Sequence, residues 1–148
     1  MKPETIRSFR DLDAWRVAMD LTMCAYDLAQ RLPATERFES SSQIRRAAVS
    51  IPANIAEGQS CGQNGRFLHH LGIAQGSVGE LDTELEIARR RGFISVAECA
   101  ETVKLLERSG QLIHGVAGSV RERRAAELTR RLALVALFLM PGLLALFR

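Results

Sequence analysis

The residues in this chain best suited by type and spacing to do chemistry are two runs of arginine, Arg45-Arg46 and Arg89-Arg90-Arg91. Each run sets guanidinium groups side by side, and the planar fork of arginine matches the oxygens of a phosphate. Repeated around an oligomer, the five side chains would offer a cationic surface to an RNA backbone, with binding that weakens steeply as salt is raised. The second run also has a structural role open to it. It falls in the last turn of a helical segment, where cations complement the helix dipole.

Other constellations lead away from catalysis. Glu57, Glu80 and Glu84 raise the question of a carboxylate-bridged metal pair, but that site requires Glu-x-x-His on two helices, and the second helical segment supplies none. His69 and His70 are adjacent and project about 100° apart on a helix, so one helix face cannot aim both at a metal. His114 stands alone. The stretch Gly58-Gln59-Ser60-Cys61-Gly62-Gln63-Asn64-Gly65 has the glycines of a phosphate loop, yet it follows a helix and no Lys-Ser/Thr pair closes it. It reads as a helix stop, a turn and a new helix start, with weak anion binding at that start as the sharper alternative. No nucleophile–base spacing stands out. The expectation is a protein without catalysis, metal or cofactor. Cys24, Cys61 and Cys99 are odd in number and lack CxxC spacing, which predicts reduced thiols. The start Met1-Lys2-Pro3-Glu4 has no apolar stretch behind it. Together these predict a cytoplasmic protein.

Positioning these residues falls to four amphipathic segments between residues 11 and 120. In the first, Leu12, Trp15, Met19, Thr22, Tyr26 and Ala29 form one helical seam, and Ala14, Ala18, Leu21, Ala25, Leu28 and Leu32 a second, before Pro33 stops the helix. The second segment carries Ile44, Ala48, Ile51 and Ile55 on one stripe, and Gln43, Ala47, Ser50, Asn54 and Glu57 on a small, polar one. Pro52 inside it predicts a freed Ala48 carbonyl and a kink that turns Asn54 and Glu57 toward partners. Gly58 is the expected helix stop. The third segment holds Phe67, Leu71, Ala74, Val78, Leu81, Leu85 and Ala88 in register. Gly72, Gly76 and Gly79 within it predict close approach by another backbone. Ser95-Val96-Ala97-Glu98 is a capping box that opens the fourth. Val96, Cys99, Val103, Leu106, Gly110, Ile113, Ala117 and Val120 follow at helical spacing. Short connections near 33–38, 59–64 and 91–94 predict an antiparallel up-down-up-down bundle, an all-α fold. The doubled seams fit either a wide core face or lateral packing into a homo-oligomer. Pro52, Asn54, Glu57, Gly58, Gly76 and Glu80 are the expected structural and interface positions.

Composition agrees with this frame. A chain of 148 residues with 47% hydrophobic and 5% aromatic content suits one helical domain. The charge is uneven. Residues 1–120 hold 14 Lys/Arg against 15 Asp/Glu, whereas residues 121–148 hold 6 Arg against 2 Glu, which together give the net +3. The chain divides into an N-terminal extension (1–10), the bundle (11–120), and a basic linker with an apolar C-terminal tail (121–148). Residues 132–147 are apolar on every side but are fewer than the ~20 that span a bilayer. The tail is expected not to be a complete membrane anchor. Packing against protein, dipping into a membrane, and an unstructured extension remain as its three readings.

Three stretches carry a family resemblance. They are Phe9-Arg10-Asp11-Leu12-Asp13-Ala14-Trp15, then Gln43-Ile44-Arg45-Arg46-Ala47-Ala48 with Ser50-Ile51-Pro52-Ala53-Asn54-Ile55-Ala56-Glu57-Gly58, and Ile73-Ala74-Gln75-Gly76-Ser77-Val78-Gly79-Glu80-Leu81. Over roughly residues 9–120 the chain resembles the four-helix-bundle proteins encoded by intervening sequences of bacterial large-subunit ribosomal RNA genes. The resemblance implies a left-handed bundle that assembles as a ring-like homo-oligomer, a pentamer, with no catalytic activity and an association with RNA. The fold is also similar to accessory proteins of diversity-generating retroelements, which implies a reverse transcriptase as the alternative partner. The tail has no counterpart in the family.

Overall fold

Leu32 adopts extended backbone because Pro33 follows it, and α1 (Asp13–Arg31) ends there. The structure, a computed structural model, describes residues 8–146, with side chains through residue 136. Expectations that fall on residues 1–7, on 147 and 148, and on tail side chains beyond 136 lie outside the described residues. Three further helices follow α1: α2 (Ser40–Ser60), α3 (Asn64–Arg90) and α4 (Val96–Leu146), with short 3₁₀ turns at Phe9–Asp11 and Ala34–Glu36. α1 packs on α2, α2 on α3, α3 on α4, and α4 back on α1. This circuit of neighbours is an antiparallel up-down bundle.

Each helix of such a bundle touches two neighbours, so its buried face is wider than a single seam. In α1 the Ala14, Ala18, Leu21, Ala25, Leu28 and Leu32 seam is buried, as are Leu12, Thr22 and Ala29 of the seam beside it, while Trp15, Met19 and Tyr26 are half-buried. In α4 a second row, Thr102, Leu105, Ser109, Leu112, Val116 and Ser119, lies beside the first, with Thr102 and Ser109 buried, Leu105, Leu112 and Val116 half-buried and Ser119 exposed. Much of the doubled seam therefore serves the bundle's own core.

Pro52 sits within α2 without ending it. It cannot donate to the Ala48 carbonyl, and the Thr22 hydroxyl of α1 stands 2.9 Å from that oxygen, shared with the Ala18 carbonyl at 2.7 Å. The helix stop lies elsewhere than expected. α2 runs past Gly58 to Ser60, and Gly62, with φ +63°, makes the left-handed turn. Gly58 is instead a point of contact between helices: a Cβ there would lie 2.7 Å from His70 Cβ and 2.8 Å from Phe67 Cδ2. The opposite correction applies to α3. Among the described residues nothing lies within 4 Å of where a Cβ on Gly72, Gly76 or Gly79 would stand, so no described backbone approaches them. They are exposed, because the packed face of α3 is the Leu71, Ala74, Val78 and Leu81 stripe.

α3 closes with a Schellman turn. Gly92, with φ +72°, donates to Arg89 O and Phe93 N donates to Ala88 O at 2.9 Å. Ser95 and Glu98 form the expected capping box, with Ser95 N 2.8 Å from Glu98 Oε2 and Glu98 N 3.2 Å from Ser95 Oγ. α4 does not stop at Val120, the last buried residue in the chain's core cluster, but continues to Leu146. Residues 121–131, read from sequence as a linker, are helical. The physical reason is plain in their types: Arg, Glu, Ala and Leu are strong helix formers, and neither Gly nor Pro interrupts them.

Candidate nucleic-acid interface

The up-down topology sorts the side chains between two ends. The α1–α2 and α3–α4 connections lie at one end, and the α2–α3 turn lies at the other, with the start of α1 and the far end of the core. Pairs such as Ser50 with Ser77 (2.8 Å) and Asn54 with His70 (3.2 Å) fix the antiparallel register of α2 on α3. Arg45 and Arg46 consequently sit about two turns, roughly 11 Å, from the level of Arg89, Arg90 and Arg91. All five predicted arginines belong to the same end of the bundle.

Their surroundings differ. Ser41 Oγ donates to Ala29 O at 3.0 Å and pins the start of α2 to α1. One turn on, half-buried Arg45 lies with its Cζ 5.8 Å from the Tyr26 ring centroid. Arg46 is exposed beside it. Arg37 and Phe38 complete the group from the connection just before α2, with Arg37 Cζ 5.7 Å from the Phe38 ring. These residues, with Ser42, Val49 and Ser50, line an open pocket of about 560 Å³. Arg37 and Arg45 also border a second depression of about 470 Å³ against Pro33 and Ala34. Phe38 is 83% exposed, an unusual position for an apolar ring, and it faces the pocket that the arginines share.

Arg89, Arg90 and Arg91 are held by carboxylates. Glu86 accepts two bonds from Arg89, at 2.7 and 2.8 Å, and one from Arg90 at 2.7 Å. The Arg89 hydrogen bonds, then those of Arg90, bring the Glu86 carboxyl down to about 2. Arg91 lies 3.6 Å from Glu36, a buried carboxylate that also accepts from Ser40 Oγ at 3.0 Å. The Arg91 guanidinium covers the Phe93 ring at 5.0 Å. This second run thus ties the α3–α4 corner to the α1–α2 connection. Arg37 was not singled out from sequence, and neither were the rings of Tyr26 and Phe38 as its neighbours. The Arg-Phe pair directly before a helix start was the only local signal.

Of the remaining predicted positions, Asn54, Glu57 and Gly58 form a strip of α2 facing α3, whereas Gly76 and Glu80 are exposed. Asn54 Nδ2 donates to Ser50 O at 2.8 Å, and Asn54 Oδ1 meets His70 Nδ1. Glu57 Oε1 lies 3.8 Å from His70 Nε2. Ser77 Oγ links to Ser50 Oγ and to Ile73 O. Glu80 is exposed on α3, and burial, then the Glu80 charge, raises the Glu84 carboxyl from its ordinary value. At the other end, Gly62, Gln63, Asn64 and Gly65 face Arg124 and Arg131 of α4 across an open pocket of about 640 Å³.

The description "23S rRNA-intervening sequence protein" matches residues 10–115, well over half of the chain. The chain belongs to this family. The matched span of the 23S rRNA-intervening sequence protein fold takes in Arg37, Arg45, Arg46 and both aromatic rings, and it ends short of the projecting part of α4. No curated protein shows significant similarity to the chain.

Proposed function

We propose that this member of the 23S rRNA-intervening sequence proteins is a non-catalytic, homo-oligomeric adaptor that binds structured RNA through the pocket of Arg37, Arg45 and Arg46. The observation that carries this is one open pocket lined by Arg37, Arg45 and Arg46 together with the exposed Phe38 ring. Guanidinium groups contact phosphates, and an exposed ring offers a base a surface to stack on. The body of the protein is close to neutral, so the attraction is local and not a field of the whole molecule. Arg89, Arg90 and Arg91 contribute less, because Glu86 and Glu36 offset two of their three charges and hold all three in ion pairs. Self-assembly is supported by the glycine-bearing face of α3, where Gly72, Gly76 and Gly79 leave room that their own chain does not fill.

The test is RNA recovered from the native complex, then titrated by fluorescence anisotropy against the purified protein. Replacing Arg37, Arg45 and Arg46 with Ala should abolish most of the affinity and reduce the slope of log affinity against log salt by about 2. Replacing Arg89 and Arg90 should change both much less. Equal affinity in the wild type and the triple variant, or recovery of a reverse transcriptase in place of RNA, would overturn the proposal.

A further inference from the structure

From Arg121 to Ala136 every described side chain of α4 is exposed. The core ends at Val120 and the helix continues to Leu146, about 39 Å further at 1.5 Å per residue. Asn64 Nδ2 donates to Glu127 Oε1 at 3.1 Å, so the extension first passes the α2–α3 turn. It leaves the bundle at the end opposite the Arg37, Arg45 and Arg46 pocket.

The extension carries two bands. Residues 121–131 contain Arg121, Arg123, Arg124, Arg130 and Arg131 against Glu122 and Glu127, five positive against two negative, while residues 1–120 sum to −1. Residues 132–147 contain no charged or hydrogen-bonding side chain. Leu132, Leu134 and Val135 are 61%, 50% and 54% exposed. At about 100° per residue Leu132 and Val135 share one face while Leu134 stands about 160° from Leu132, so exposed apolar side chains occupy opposite sides of the helix and do not form a single stripe.

That distribution separates the candidate occupants. A second copy packed alongside covers one face of a helix and leaves the opposite face in water. A bilayer covers every face at once, and anionic headgroups match the arginine band that immediately precedes the apolar one. We infer that the C-terminal part of α4 docks the bundle on an anionic lipid bilayer, with its apolar stretch from Leu132 to Leu146 immersed and Arg130 and Arg131 among the headgroups. The stretch from Leu132 to Leu146 makes about 22 Å of helix against roughly 30 Å of hydrocarbon. Among the described residues, no helix is long and apolar enough to cross a membrane. The segment enters one side of the bilayer and does not span it. Docked this way, the bundle holds its arginine pocket toward the aqueous phase. The inference does not depend on what that pocket binds.

The experiment floats the full-length protein through a density gradient with two kinds of vesicle: phosphatidylcholine alone, and phosphatidylcholine with one-third phosphatidylglycerol. The protein should rise with the anionic vesicles and bind the neutral ones at least about 25-fold less. The double variant R130Q/R131Q should partition onto anionic vesicles about 25-fold less. The variant L132D/V135D should stay at the bottom of the gradient while keeping wild-type helix content by circular dichroism and wild-type mass by light scattering. Absence of flotation with both vesicles overturns the inference. So does a change of assembly mass in L132D/V135D with flotation intact, which would give the face to a second copy. Resistance of the bound protein to carbonate extraction would also overturn it, because it would mean a complete span.

Discussion

Pro52 lacks the N–H that would close the helical bond to Ala48, and the Thr22 hydroxyl beside that carbonyl takes its place. Replacing Thr22 with Val keeps the shape and removes the donor, leaving a buried oxygen without a partner. The expected loss is about 1–2 kcal/mol in urea unfolding. An alanine at position 52 restores an N–H to the ladder, so the cost of T22V should shrink by about 1 kcal/mol in a P52A background. Equal costs in both backgrounds would show that Thr22 does not serve that carbonyl. Gly58 sets a second residue-scale expectation. A methyl group at 2.7 Å from His70 Cβ, with the Phe67 backbone at 3.3 Å, leaves little direction for relief. G58A should destabilise by about 1–2 kcal/mol despite the better helix propensity of alanine. G62A strains a left-handed backbone and not a contact, so its effect should be insensitive to trimming Phe67.

Helix ends respond to pH through their caps. At the start of α4, the Ser95 hydroxyl and then the Ser95 backbone hydrogen-bond to Glu98 and hold its carboxyl below the ordinary value of 4.5. A carboxyl with a lowered folded-state pKa stabilises the fold above its unfolded-state value, and that contribution is lost as pH falls through the folded-state value. E98Q should therefore melt below the wild type at pH 7, with the difference fading as the pH is taken below 4.5 in a thermal-melt series. Glu86 titrates lower still, near 2, so its grip on Arg89 and Arg90 should outlast the α4 cap during acidification. This pairing was open to sequence reasoning, since Glu86 stands three and four residues before the two arginines, the spacing at which helical side chains meet. The pairing of Arg91 with Glu36 was not, because only the folding of α3 back along α2 brings the α1–α2 connection to that corner.

The whole molecule divides into a core that closes at Val120 and surfaces that it leaves open. One of those surfaces is the α3 face of Gly72, Gly76 and Gly79. A larger side chain there meets nothing among the described residues, so G76L should keep the helical signal and raise the stability of an isolated bundle by up to about 1 kcal/mol through helix propensity. If the face packs against another copy, light scattering should show a wild-type mass several times 16.4 kDa and a smaller one for G76L. A 16.4 kDa wild type at micromolar concentration would end the case for assembly. Deleting residues 125–148 removes side chains that are exposed as far as they are described and breaks the Asn64–Glu127 bond at the surface. The remaining chain should fold with the same cooperative melt.

By itself the sequence determined the four helices, the stop at Pro33, the capping box at Ser95 and Glu98, and the core positions of Ile44, Ile51, Ile55, Leu71, Leu81 and Ile113. These depend on residues within a turn or two of one another, where periodicity and capping act directly. It also marked Pro52 and the Ala48 carbonyl as a pair needing outside help, though not Thr22 as the helper. The tertiary structure alone decided which arginines remain available, because that depends on carboxylates and rings from other helices. It moved Gly58 from a helix stop to a contact, since His70 and Phe67 reach it only once α3 folds back on α2. It also turned Gly72, Gly76 and Gly79 outward. Glycine spacing marks where a neighbour could come close, but only packing decides whether that neighbour belongs to the same chain.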